Sequence, residues 1–299
     1  LSFRPFLYLK PEHLGTQSTG LIFSFLLFTE NIPAPCGIFH CAEPTPGHWV
    51  SPLRAPFGGI QVDKNCKQDD LDFLVCCIKE FIAAREGKKL IVKTAPLSYY
   101  AAWEYIRLDY TYRSAGFTVS GEFINHSIPV DSDRFTYHIA ASENRKLKRA
   151  KAAGFRAGLE QNLPAGFIHS FLFECRTLKG YSLTLSQQQI EELLMKFKEE
   201  VKIFTVRDSE KIIALSLTVR VSRGIIYNFL SADVPDYRHY SPYVILTETI
   251  YSYCWKEGIA TLDLGISLDH KGIHKPSLAR FKQNIGGKES VKRTYELTF

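Results

Sequence analysis

Two stretches of this chain read in the same order, three strands and then helix, strand, helix and strand, at an offset of about 170 residues. No single motif constrains the fold as much, because elements in that order must build a mixed sheet with helices on its faces. The expected fold class is therefore α/β, with two similar domains. Residues 1–136 form the first and more reduced one, and residues 137–299 the second.

The second copy is clearest in its last fifth. Ser241 stands where it can cap a helix whose first residue is Pro242; Val244 to Trp255 fill it and Gly258 ends it. A strand from Ala260 to Gly265 follows. A further helix opens at Pro276 and stops at Gly286, with Leu278, Phe281, Lys282 and Ile285 on one face. A lysine inside an apolar stripe either snorkels to the rim or faces a polar cavity. Earlier in this half, Ser142 caps a basic helix carrying Arg145, Lys146, Lys148, Arg149 and Lys151. A capping box of Ser186 with Gln189 opens another helix, and strands are expected over Val201–Arg207, Lys211–Val221 and Gly224–Ala232.

In the first half residues 1–19 read as irregular, and strands are expected over Gly20–Phe28, Cys36–Ala42 and Ala55–Val62, with the insert EPTPGHWVSP as a loop. Asp69 or Asp70 caps a helix with Leu71, Leu74, Val75, Ile78 and Ile82 on its inner face, closed by Gly87. After the strand Lys89–Lys93, Ser98 caps a helix ending at Gly116, and Thr118–Ile124 forms the next strand.

A length of 299 residues with 45% hydrophobic and 23% charged side chains is that of a globular protein with two domains. A net charge of +6 suits an anionic ligand such as a nucleotide or RNA. The apolar run Leu21–Phe28 is far shorter than the roughly 20 residues of a bilayer span, and the Thr29, Glu30 and Asn31 that follow do not form a leader-cleavage site. Seven cysteines without a C-x-x-C pair point to reduced thiols and a cytoplasmic location. His270 and His274 flank Lys271 with no third ligand nearby, so no metal site is expected.

Three places carry a family resemblance: the segment SENRKLKRAKAAGF, the helix start RHYSP, and the strand LDLG followed by LARFKQNIGG. In that order they resemble the GNAT acyltransferase fold, and more closely its FemABX-like branch of tandem GNAT domains, which includes bacterial peptidoglycan-bridge aminoacyl transferases. The resemblance implies transfer of an acyl or aminoacyl group from an activated carrier, acyl-CoA or aminoacyl-tRNA, to a primary amine on a small molecule or peptide, without a metal or covalent intermediate. The segment PDYRHYSP departs from the glycine-containing loop that usually holds the coenzyme A pyrophosphate, so weak acetyl-CoA binding is expected. Two alternatives stand beside this reading: a catalytically degenerate module that binds a ligand or partner, and a coenzyme A-dependent acetyltransferase with an atypical pyrophosphate loop.

The site residues follow from the same places. Lys282 matches the family's lysine that contacts donor phosphates, and Arg238, Tyr240 and Ser241 stand at a helix start where a phosphate docks. Asp263 is the candidate catalytic carboxylate, and its side chain is expected to point opposite to those of Leu262 and Leu264. Tyr227 and Ser231 share one face of a strand whose N–H groups offer donors to an oxyanion. The basic helix with Arg145 and Lys148 is a candidate RNA contact.

Overall fold

The computed structural model describes residues 1–17, 20–29, 32–269 and 271–299. In chain order the elements are α1 (Pro11–Gln17), β1 (Phe23–Thr29), β2 (Ile32–Thr45), β3 (His48–Ser51), β4 (Gln61–Val62), α2 (Gln68–Ala83), β5 (Lys89–Lys93), α3 (Ala102–Ser114) and β6 (Thr118–Pro129). There follow α4 (Phe135–His138), α5 (Ala141–Ala152), β7 (Arg156–Glu160), α6 (Ala165–Thr177), α7 (Gln187–Lys196), β8 (Val201–Asp208), β9 (Lys211–Ser222) and β10 (Ile225–Asp233). The last are α8 (Pro242–Lys256), β11 (Thr261–Ile266), α9 (Pro276–Asn284) and β12 (Lys288–Thr298). Two compact units result, one of Leu1–Ile124 with Ser290–Phe299 and one of Asn125–Glu289. The boundary expected after residue 136 thus falls at 124/125, and the last ten residues return to the first unit. Hydrogen bonding decides this: β12 pairs antiparallel with β5, from Thr294↔Lys93 to Thr298↔Lys89.

In the first unit the strand order is β1-β2-β3-β5-β12-β6, with β3 and β5 parallel. Its core gathers Trp49, Leu71, Leu74, Ile78 and Ile82 with Leu90, Tyr112 and Tyr295. Asp69 and Asp70 lie in the first turn of α2, where they favour the positive end of the helix dipole, while Lys67 holds the cap position without a side-chain hydrogen bond. Three further expectations are corrected. The segment read as a loop contains β3, whose Trp49 is fully buried; Gly47, at φ 76°, lets the chain turn back so that β3 pairs with β2. The strand expected over residues 55–62 shrinks to β4, and part of the irregular N-terminus is α1.

The second unit repeats the scheme. Antiparallel β8, β9 and β10 are followed by β11 parallel to β10, then by the end of β6 antiparallel to β11, with β7 on the outer edge. A core of Leu147, Phe204, Ile213, Ile226, Val244, Leu246, Ile250, Leu262 and Ile285 packs α5 and α8 on the sheet. Both units therefore show three antiparallel strands, a parallel neighbour reached through a helix, and an antiparallel strand beside it, but that last strand is β12 in the first unit and the end of β6 in the second, an exchange that the order of elements in the sequence did not show.

Helix caps were less legible. The Ser186–Gln189 box forms, with Ser186 Oγ accepting from Gln189 N and Gln189 Oε1 accepting from Ser186 N. Ser98 instead sits in a short 3-10 turn, with Ala101 at the cap of α3, and Ser142 lies inside α5, whose cap is Ala140. Ser186→Ala is expected to cost about 1 kcal/mol and to lower the melting temperature by a few degrees, which thermal unfolding will check. All seven cysteines are free thiols, and burial pushes those of Cys41, Cys66 and Cys254 up to about 12, so none of these three is a thiolate nucleophile at neutral pH. Among the described residues no helix is long and apolar enough to cross a membrane.

Candidate active site

The site lies where two parallel strands part. The β10–β11 pairing runs Ile225↔Thr261, Ile226↔Leu262, Tyr227↔Asp263 and goes no further, although β10 continues to Asp233 and β11 to Ile266. A cavity of about 740 Å³ opens there, lined by both strands and by residues of α8, α9 and the end of α6.

A bulge shapes its floor. The β6–β11 register slips between Asp263 and Gly265, and Gly265 takes φ 71°. Asp263 Oδ1 accepts the Gly265 N–H at 2.8 Å and Asn125 Nδ2 at 2.8 Å, which holds the bulge closed. The Gly265 and Ile266 carbonyls then accept from Lys282 Nζ at 2.9 and 2.7 Å. The positive φ favours glycine, and a Cβ on Gly265 would lie 3.1 Å from the Tyr227 ring and press it aside by a few tenths of an ångström. Gly265→Ala is expected to destabilise the protein by about 2 kcal/mol and to weaken ligand binding by moving Tyr227; denaturant unfolding measures the first and titration the second. An unchanged midpoint would show that the backbone there is free to relax.

Lys282 reaches this floor from α9, where it is buried beside Ala279 at 7% exposure and still lines the cavity. Burial lowers its pKa to about 8, with the Asp263 carboxylate acting in the opposite direction. Gly286, at φ 94°, and Gly287 end the helix tightly, and a Cβ on Gly287 would lie 2.6 Å from the Lys282 carbonyl.

The other expected residues divide. Tyr227, Ser231, Arg238 and Ser241 line the cavity; Asp263 and Tyr240 do not. Asp263 is 3% exposed behind the floor, committed to Asn125 and Gly265, so its geometry is that of a positioning group. Tyr240 packs its ring edge-on against Phe155 at 5.1 Å. Ser241 occupies the cap position of α8 in the left-handed conformation, φ 55° and ψ 60°, and makes no capping hydrogen bond. Its hydroxyl therefore serves the cavity wall and not the helix. Segment 235–240 is a 3-10 helix preceding it. His274 is exposed, and His270 lies outside the described residues.

Several lining residues carried no signal in the sequence. Ser216 Oγ donates to Asn228 Oδ1 at 2.5 Å, which orients the amide so that Nδ2 donates to the Tyr243 hydroxyl at 2.5 Å. Ser231 Oγ stands 3.4 Å from the same hydroxyl, whose pKa burial raises. Arg176, from the last turn of α6, lies beside Tyr181, and Lys275 Nζ donates to the Tyr181 hydroxyl at 2.8 Å. Lys179 pairs with Asp233, and Arg238 stands 3.8 Å from that carboxylate. Among the described residues Arg176, Lys275 and Lys282 have no carboxylate within salt-bridge distance, and all three face one cavity. Tyr243 directly follows Pro242 at the helix start, so position alone offered a clue; Arg176 and Tyr181 lie more than 50 residues before the motifs of the site.

Residues 141–282 match the model of an acetyltransferase (GNAT) domain. No curated protein matches the sequence. Among solved structures the chain is similar to FemX, with a TM-score of 0.73 and 12% identity over 98% of this chain and 92% of that one. It is also similar to the C-terminal domain of a putative lysylphosphatidylglycerol synthetase from Agrobacterium fabrum, with a TM-score of 0.61 and 13% identity over 95% and 85%. A tandem GNAT protein from the clavulanic acid biosynthesis pathway gives a TM-score of 0.53 at 7% identity over 93% and 83%. Identities this low speak for the fold alone. The match over residues 141–282, the stretch that holds the parting strands and the glycine bulge, makes the second half of this chain similar to a GNAT domain, within an α/β fold shared with FemX and a tandem GNAT protein.

Proposed function

We propose that this protein transfers an acyl or aminoacyl group from an activated, phosphate-bearing carrier to a primary amine in the cavity of its second unit. The observation that carries this reading is an open cavity of about 740 Å³ onto which Arg176, Lys275 and Lys282 converge, none with a carboxylate within salt-bridge distance among the described residues. Charges placed so are costly without an anionic ligand. Aromatic side chains line this space without filling it, which favours chemistry over a degenerate binding module. The carrier we favour is an aminoacyl ester on RNA, because the 3-10 segment 235–240 has no glycine through which a backbone approaches a pyrophosphate.

In the proposed reaction the neutral amine attacks the carbonyl carbon, negative charge gathers on the carbonyl oxygen, and the ester C–O bond breaks as the proton lost by the amine nitrogen passes to the leaving oxygen. Tyr243, whose oxygen already accepts from Asn228, is placed to donate its own proton to that developing charge. The test offers the protein a panel of primary amines with an aminoacylated RNA minihelix or with acyl-CoA thioesters, and mass spectrometry follows amide formation. Enzyme-dependent amide from the minihelix is expected. Product from acyl-CoA alone would replace the donor, and no product from either would sink the transferase reading.

A further inference from the structure

The basic helix α5 is not a detached feature of the second unit. Arg145, Lys148 and Arg149 are exposed on it, and Arg149 Nη1 donates to the His239 carbonyl at 3.2 Å. His239 is the neighbour of Arg238, which lines the cavity. A run of cations therefore leads from the surface of α5 across the 235–240 segment to Arg238, and on to the cations inside. The remaining charges of the helix are neutralised, Lys146 by Glu143 at 2.8 Å and Lys151 by Glu248 at 2.7 Å. Among the described residues Arg145, Lys148 and Arg149 have no such carboxylate. What the helix buries is Glu143, Leu147 and Ala150, so its outer face has no large apolar residue to enter a lipid surface.

We propose that the outer face of α5 is the docking surface for the phosphate backbone of an RNA whose 3′ end enters the cavity. The proposal rests on the transferase reading above and adds the partner and its path to that site. A polyanion with evenly spaced charges fits three cations on one short helix that have no carboxylate partner among the described residues. A bilayer would need apolar anchors beside them, and the exposed Phe167, Phe173 and Leu178 belong to α6 instead.

The experiment measures binding of a fluorescent RNA minihelix ending in a single-stranded 3′ CCA by anisotropy over a range of salt concentrations. The wild type is compared with Arg145→Gln/Lys148→Gln, and with Lys282→Ala as a control inside the cavity. We expect the double variant to bind at least tenfold more weakly near 100 mM salt, with the slope of log K against log[salt] reduced by about 2. Its melting temperature should be unchanged, since both side chains are exposed. Lys282→Ala should impair amide formation and weaken minihelix binding too, but as the loss of one contact at the 3′ end, with the salt slope reduced by about 1 at most. Wild-type affinity and slope in the double variant would overturn the proposal while leaving the transferase reading intact. So would binding of anionic phosphatidylglycerol vesicles in place of the RNA. Amide formation from acyl-CoA with no RNA binding would overturn both the docking surface and the RNA donor.

Discussion

Lys282→Ala is expected to weaken binding of a phosphate-bearing donor by about 1.5–3 kcal/mol, roughly tenfold to 150-fold, with the fold intact. The ammonium is the deepest cation of the cavity, and its two present acceptors are backbone carbonyls that cannot neutralise it. Its pH dependence has a definite sign. Burial depresses the folded-state pKa from 10.5 to about 8. Between about pH 8 and 10.5 the unfolded chain holds a proton that the folded one has lost, so stability contributed by this group rises with pH across that window. Anion affinity runs the other way and falls as pH climbs through about 8, because the neutral amine attracts no phosphate. Calorimetric titration from pH 6.5 to 9.5, beside melting curves of both proteins, checks each part. A variant that melts several degrees lower yet binds normally would make Lys282 a structural residue and undo the site built around it.

The second large effect belongs to Tyr243. Tyr243→Phe should slow amide formation about a hundredfold at saturating substrate, roughly 2.7 kcal/mol of transition-state stabilisation, while changing substrate affinity much less. The loss is concentrated in turnover because the hydroxyl is aimed by Asn228, itself oriented by Ser216, toward charge that appears only during reaction. Single-turnover rates separate this from slow product release. A full rate in the variant would move the proton donor elsewhere, with Tyr227, Ser231 and Ser241 among the other hydroxyl residues that line the cavity.

The two effects differ in what made them visible. Lys282 stood out in the sequence because a charge interrupted an apolar stripe, and local periodicity is enough to reveal that. Helix and strand order, the Ser186 box and the repeated scheme were legible for the same reason, since each depends on neighbours within a few turns. Asp263 shows the limit. Alternation along a strand gave its side chain an expected direction but could not show the bulge at Gly265, and the bulge turns the carboxylate into a clamp on Asn125, a residue 138 positions away in the chain.

Composition, periodicity and the order of elements, all set by residues close in sequence, therefore determined an α/β chain with one order of elements in each half and a candidate site lysine near its end. Tertiary structure decided the rest. Only hydrogen bonding between distant strands sends β12 back to β5 and brings β6 beside β11, and so sets where one unit stops and the other begins. Only the parting of β10 from β11 gathers Arg176, Tyr243, Lys275 and Lys282 around one space, because side chains from three helices and the loop before α9 meet there by packing and not by spacing.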